Sequence, residues 1–204
     1  MLEVKRIVTG NLEENCYLIY QHEVALIVDP GDDFDKIKAE IDRLKVKPKA
    51  ILLTHTHSDH IGALEEMRKT YQIPVYVSPE EQAWLGDAEL NLSAFSGLPF
   101  TTRPAEFEFE MKEYDLDGFN FTVVPTPGHS PGGVSFIFDG FVISGDALFN
   151  GSIGRTDLYQ GDLNTLLSGV REHLFSLPDE FRVYPGHLGD TTIGYEKRFN
   201  PFFQ

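Results

Sequence analysis

The run Thr54-His55-Thr56-His57-Ser58-Asp59-His60 places three of the chain's seven histidines and an aspartate directly behind the apolar stretch Ala50-Ile51-Leu52-Leu53. A short apolar run bounded in this way reads as a buried strand. Donors crowded at its end belong to a loop, where chemistry is carried on a rigid scaffold. On a helix, His-x-His spacing would turn the two rings to opposite sides, whereas in a loop both can converge on one ion. The run therefore reads as a metal site at a strand end.

The rest of the chain supplies the scaffold that such a strand needs. Residues 24–28 read as another buried strand, closed by the turn Asp29-Pro30-Gly31-Asp32. Residues 34–44 carry Ile37, Ile41 and Leu44 at helical spacing. The alternation continues with a strand at 51–54, a helix over about 60–71, a strand at 75–77 and a helix opened by Pro79-Glu80-Glu81. Residues 86–103 lack periodicity and read as a lid or a surface loop. Residues 119–126 and 134–144 are strand-like, the second stretch broken by the turn signal Asp139-Gly140. Asp162 opens a helix with the stripe Leu163, Leu166, Leu167, Val170 and Leu174, and residues 182–184 form a last strand. Strand-helix units mixed with hairpins predict a layered α/β fold. No linker divides the 204 residues, so one domain over 1–204 is expected.

Charge and cysteine usage narrow the function. Seventeen basic against 32 acidic residues give a net charge of −15, which disfavours nucleic acid and anionic membranes and favours divalent cations. Cys16 is the only cysteine, so neither an internal disulfide nor a cysteine-rich zinc site is available. The first residues lack a signal-peptide core, and no apolar run approaches ~18 residues. A soluble cytoplasmic protein is the expectation, with its oligomeric state open.

Three further donors sit next to expected strand ends, each with glycine just before it: His129 in Pro127-Gly128-His129, Asp146 in Ser144-Gly145-Asp146, and His187 in Tyr184-Pro185-Gly186-His187. Glycine permits the tight or left-handed backbone that turns a side chain into a cleft. His22 and His173 have no such company and read as surface or packed histidines. The seven donors His55, His57, Asp59, His60, His129, Asp146 and His187 suit zinc, iron or manganese.

The segment 54–60 resembles the His-x-His-x-Asp-His signature of the metallo-β-lactamase superfamily. Asp29-Pro30-Gly31, Pro127-Gly128-His129-Ser130-Pro131-Gly132, Ser144-Gly145-Asp146 and Tyr184-Pro185-Gly186-His187 follow in that family's order. Single-domain glyoxalase II-like (hydroxyacylglutathione hydrolase-like) enzymes are similar also in Gly151-Ser152-Ile153-Gly154-Arg155-Thr156-Asp157 and in Thr191-Thr192-Ile193-Gly194 with Asn200-Pro201-Phe202. The resemblance implies a four-layer αβ/βα sandwich with metals at the sheet edges. It gives one metal to His55, His57 and His129, the other to Asp59, His60 and His187, and makes Asp146 the bridge. Two divalent ions are implied, zinc first, with iron or manganese as alternatives.

A bridging acid is reasonable because two dications ~3.5–4 Å apart repel and a shared anion reduces the repulsion. Coordination can bring the pKa of water from ~15.7 to about 7, so a bridging hydroxide is available as nucleophile, held by Asp59 and Asp146 as catalytic carboxylates. A thioester suits the site, since a thiol of pKa ~8.5 leaves without a strong general acid. Arg155 and Tyr159 are the expected substrate contacts. The expected activity is therefore hydrolysis of a small-molecule hydroxyacyl thioester. Seventeen residues follow His187, fewer than the helical domain of two-domain glyoxalase II enzymes needs, which argues against a full glutathione site. Leu188 stands where relatives often carry glycine. The alternative is a mono-iron persulfide dioxygenase of the same superfamily, using His55, His129 and Asp146. A non-catalytic metal-binding module ranks last.

Overall fold

The computed structural model describes residues 2–204. The chain divides into two compact units, Met1–Phe109 and Glu110–Gln204.

The first unit is a six-stranded mixed sheet in the order β1-β2-β3-β4-β5-β6. Its strands are β1 (Glu3–Thr9), β2 (Glu14–Gln21), β3 (Val24–Val28), β4 (Lys47–Leu52), β5 (Val75–Val77) and β6 (Phe107–Glu108). β1, β2 and β3 pair antiparallel, and β3 to β6 run parallel. Helix α1 (Phe34–Leu44) buries Ile37 and Ile41, and α3 (Leu64–Tyr71) buries Leu64 and Met67, in one cluster with Leu18, Ile27 and Ile51. Tyr17, Ile19, Leu26 and Leu52, on the other face of the strands, are equally enclosed, which is why β2 to β4 read as continuous apolar runs. The helix expected over 60–71 is two helices, α2 (Ser58–Ile61) and α3, interrupted at Gly62-Ala63. At the break the Ala63 N–H donates to the Pro30 carbonyl at 3.0 Å, and glycine is required at 62 because a Cβ there would collide with the Gly31 carbonyl oxygen. Pro79 opens only 3-10 turns, Pro79–Glu81 and Ala83–Gly86.

The second unit is a mixed sheet in the order β12-β11-β10-β9-β8-β7. It contains β7 (Glu113–Leu116), β8 (Phe119–Pro125), β9 (Val134–Phe138), β10 (Phe141–Gly145), β11 (Arg182–Pro185) and β12 (Thr191–Thr192). β7 to β10 form an antiparallel meander with its hairpin at Asp139-Gly140, and β11 joins β10 in parallel. Helix α4 (Leu163–Gly169) starts where Asp162 accepts the Thr165 N–H at 2.7 Å, an N-cap. Its stripe continues through a π-helical turn, Val170–Leu174, burying Leu166, Val170 and Leu174 against Val142 and Val183. Helix α5 (Ile193–Phe199) closes the unit.

Strand direction fixes where chemistry is placed. In the first sheet the ends of β1, β3 and β4 and the start of β2 share one edge. In the second, β8 and β10 run the same way and β11 is parallel to β10, so His129, Asp146 and His187 all follow strand ends at one edge. Among the described residues no helix is long and apolar enough to cross a membrane.

Candidate metal centre

In the first unit the ligand loop leaves β4 and is held by Asp29, which follows β3. Asp29 Oδ1 accepts the Thr54 N–H at 2.8 Å, and Oδ2 accepts the Thr54 hydroxyl at 2.6 Å. Asp29 Oδ2 also lies 3.0 Å from His60 Nδ1. Since the carboxylate accepts, His60 Nδ1 carries the proton and Nε2 keeps its lone pair. The Thr54 proton is committed to Asp29, so the Thr54 oxygen, 3.1 Å from His55 Nδ1, accepts from that ring and leaves His55 Nε2 as a base. One buried carboxylate thus sets the tautomers of two imidazoles, the arrangement that prepares histidines for a metal.

Their spacing agrees with that role. The His55 ring lies 4.8 Å from the His57 ring and 4.1 Å from the His60 ring. Single donor atoms of Asp29, His55 and His60 lie within 4.8 Å of one another, and Asp59 Oδ2 is 3.7 Å from His60 Nε2. Glycine is needed at position 31, where a Cβ would overlap the Asp59 carbonyl oxygen. Glu14, at the start of β2, accepts the Thr9 hydroxyl at 2.6 Å and lies 3.9 Å from His60 Nδ1. Burial pushes its carboxyl well above the usual range, with His60 pulling the other way.

In the second unit Asp146 Oδ2 lies 3.3 Å from His129 Nε2 and 3.5 Å from His187 Nε2. His129 Nδ1 donates to the Arg155 carbonyl at 2.7 Å, which turns Nε2 toward Asp146 as the lone-pair nitrogen. The Gly186 N–H bonds the Gly145 carbonyl at 2.8 Å, joining the Asp146 and His187 loops. Gly154 packs so closely on Asp146 that a Cβ would strike its carbonyl oxygen. Glu196, fully buried, accepts from the Gly151 N–H, the Thr191 hydroxyl and Asn200 Nδ2, at 3.0, 2.6 and 2.8 Å. That network ties the 151–157 loop to the C-terminal segment, and it explains why both stretches carry recognisable sequence.

Arg155 meets the site through its backbone, while its guanidinium grips Asp157 at 2.7 and 2.8 Å. Tyr159 is exposed, as is His22, and His173 lies in the π-helical turn. Cys16 is buried and burial raises its thiol well above the ordinary range, so it is no nucleophile. Sequence reading missed Glu81, whose Oε2 accepts the Thr56 N–H at 2.6 Å and the Thr56 hydroxyl at 2.9 Å. Nothing local marks it, because it reads as an ordinary acid in a helix's first turn. Asp29 was visible as a turn residue and as part of the family-like stretch Asp29-Pro30-Gly31, without a role assigned to its side chain.

Imidazoles with set tautomers beside carboxylates form a histidine/aspartate cluster whose chemistry fits a dinuclear metal site. The family model described as "Metallo-beta-lactamase superfamily" matches residues 9–187. A "Probable metallo-hydrolase" of Streptococcus pyogenes is 44% identical over 211 residues, spanning 100% of this chain and 91% of that protein. Hydroxyacylglutathione hydrolase GloC of Haemophilus influenzae is 38% identical, spanning 93% and 92%. Among solved structures, BLEG-1 B3 metallo-beta-lactamase overlays with a TM-score of 0.97 at 42% identity, covering 99% of this chain and 100% of that one. TTHA1623 in a di-iron-bound form overlays at 0.87 and 39% identity, covering 97% and 99%. The chain belongs to the metallo-β-lactamase superfamily, as one of its metallo-hydrolases. Its α/β fold, two mixed sheets with flanking helices, is the fold of that family.

Proposed function

We propose that the protein is a dinuclear metal-dependent hydrolase of hydroxyacyl thioesters. In this reading His55, His57 and His129 hold one ion, Asp59, His60 and His187 hold the other, and Asp146 bridges. The observation that carries it is the single Asp146 oxygen facing the Nε2 atoms of His129 and His187. A carboxylate oxygen presented to two imidazoles is suited to sharing between ions. Zinc is the resident metal proposed. Divalent metal ions supply a water of lowered pKa and polarise a carbonyl oxygen.

The chain's own residues do the rest. Asp29 fixes His55 through Thr54 and His60 directly, so donor geometry costs no reorganisation. Asp59 and Asp146 accept hydrogen bonds from the attacking water and aim it at the carbonyl carbon. The thiol leaves as thiolate without a protein acid, which is why the absence of an assigned general acid is acceptable for a thioester. GloC's name supports hydroxyacyl thioesters as the class to test first. Arg155 and Tyr159 remain the proposed substrate contacts, Arg155 only after release from Asp157. The lone buried Cys16 fits a reducing compartment, and the cytoplasm is the one proposed.

The test is metal analysis with turnover assays. Two ions per chain, hydrolysis of a lactoyl thioester, and loss of more than one ion in Asp146→Ala are expected. A full metal count in Asp146→Ala overturns the bridge. Hydrolysis of a β-lactam alone, or oxygen consumption on a persulfide with one iron bound, overturns the thioesterase.

A further inference from the structure

Glu196 of α5 is fully buried, and its partners among the described residues are neutral donors. Oε1 accepts the Thr191 hydroxyl at 2.6 Å, Oε2 accepts Asn200 Nδ2 at 2.8 Å, and the Gly151 N–H reaches both oxygens, at 3.2 and 3.0 Å. Asn200, buried as deeply, also donates from Nδ2 to the Ser152 carbonyl at 2.9 Å. Two adjacent residues of the 151–157 loop are thus pinned to the C-terminal segment by their backbone. A carboxylate buried without a cation is costly to desolvate, so these bonds have to be made well for the fold to carry it.

The same loop touches the metal centre a few residues further on. Gly154 lies against Asp146 so closely that a Cβ would strike its carbonyl oxygen and come within 3.1 Å of His129 Nδ1. The Arg155 carbonyl accepts the His129 Nδ1 proton at 2.7 Å. Between the pinned end and these contacts, Ile153 sits in the apolar cluster with Ala147 and Leu148. The short run 151–155 is therefore held at one end and presses on two candidate ligands at the other.

The position of the Arg155 carbonyl decides a competition. A neutral imidazole carries one proton, and the two His129 nitrogens face different acceptors: Nδ1 the Arg155 carbonyl at 2.7 Å, Nε2 the Asp146 carboxylate at 3.3 Å. At equal distance the carboxylate is the stronger acceptor. The shorter bond to Arg155 keeps the proton off Nε2, and a loop free to drift would give that advantage up. A proton on Nε2 occupies the lone pair that a metal needs.

We infer that Glu196, with Asn200, is a positioning residue for the metal centre: by pinning Gly151 and Ser152 it holds the Arg155 carbonyl where it selects the metal-binding tautomer of His129. The inference rests on the reading above that His129 and Asp146 are ligands. Glu196 hydrogen-bonds neither and acts through the loop alone.

The test uses the full chain with labelled histidine nitrogens. After chelator treatment, at pH about 9 and well above the usual histidine pKa of ~6.5, nitrogen chemical shifts report which ring atom carries the proton. His129 is assigned by its absence in His129→Gln. Wild type and Glu196→Gln, which keeps an oxygen for Gly151, should show the Nδ1–H tautomer. Glu196→Ala should shift His129 toward Nε2–H, and its metal affinity by chelator competition should fall about tenfold, the low end for residues behind the ligands. Asn200→Ala, which frees the Ser152 carbonyl, should do the same and serves if Glu196→Ala does not fold. Leu174→Ala, a cavity in the core of the same unit, should lower the urea midpoint and leave tautomer and affinity unchanged. An Nε2–H tautomer in the wild type, an unshifted tautomer in Glu196→Ala (in Asn200→Ala if the former does not fold), or an equal shift in Leu174→Ala overturns the inference. Metal counting on His129→Gln separates the two ideas. A full count there, beside a shifted tautomer in Glu196→Ala, overturns the ligand assignment and leaves the tautomer control standing. A lost metal there, beside an unshifted tautomer, does the reverse.

Discussion

One oxygen of Glu81, Oε2, accepts both the backbone N–H and the hydroxyl of Thr56, the residue between His55 and His57. Both residues are fully buried, and the bonds cross 25 positions of sequence. The carboxylate therefore fixes the midpoint of the His-x-His loop from outside it.

Glu81→Ala should leave two buried donors without an acceptor, at a cost of about 1–3 kcal/mol each, and loosen the loop. Metal affinity, read by competition with a chromophoric chelator, should fall about 10- to 100-fold. Glu81→Gln keeps an oxygen for both bonds and should recover most of that loss. Equal metal affinity in Glu81→Ala and the wild type would show that the contact does not position the loop.

Asp29→Asn tests the tautomer assignment. An amide nitrogen in place of Oδ2 would face the Thr54 hydroxyl and the His60 Nδ1 proton, both donors. The swap is nearly isosteric, so volume is preserved while two hydrogen bonds are lost. Metal affinity should fall at least tenfold, with destabilisation of about 2 kcal/mol in urea unfolding of the metal-free protein. Wild-type affinity in Asp29→Asn would mean the imidazoles are oriented by something else.

Leu188 follows the last candidate histidine with φ of 68°, in the left-handed region that favours glycine. Such a conformation costs a non-glycine residue about 1–2 kcal/mol, and glycine's extra unfolded-state entropy returns about 0.5–1 kcal/mol of that. The side chain is largely exposed, so little packing is lost. Leu188→Gly should raise stability by up to about 1 kcal/mol in urea melts, and a destabilised variant would show that the Leu188 side chain contributes more than its exposure implies.

Hydrogen bonds from Arg155 hold the Asp157 carboxyl at about 2 in the folded chain. A depressed carboxyl stabilises the fold above its unfolded pKa of ~3.9, and that contribution disappears as pH falls through about 2. Melting temperatures of chelator-treated wild type and Asp157→Asn, compared from pH 5 to 2.5, should therefore converge toward acid. A gap that is constant or widening would contradict the pairing.

The order of donor-bearing loops, their attachment to strand ends, the hairpin at Asp139-Gly140 and the Asp162 cap were legible in the sequence. Each is local: an apolar run, a turn dipeptide or a capping residue fixes nearby backbone whatever surrounds it. The family pattern added the expected grouping of the seven donors. The sequence was less able to place the break between α2 and α3, because the Pro30 carbonyl that takes the Ala63 N–H arrives from another turn. It could not show that Arg155 is held by Asp157 or that Asp29 orients His60 across 31 positions. Nor could it single out Glu81 among 32 acidic residues. Residue type and spacing determine which side chains are able to bind a metal. Tertiary structure decides which nitrogen each ring presents and which carboxylates orient them, because those hydrogen bonds join positions that only the folded sheets bring together.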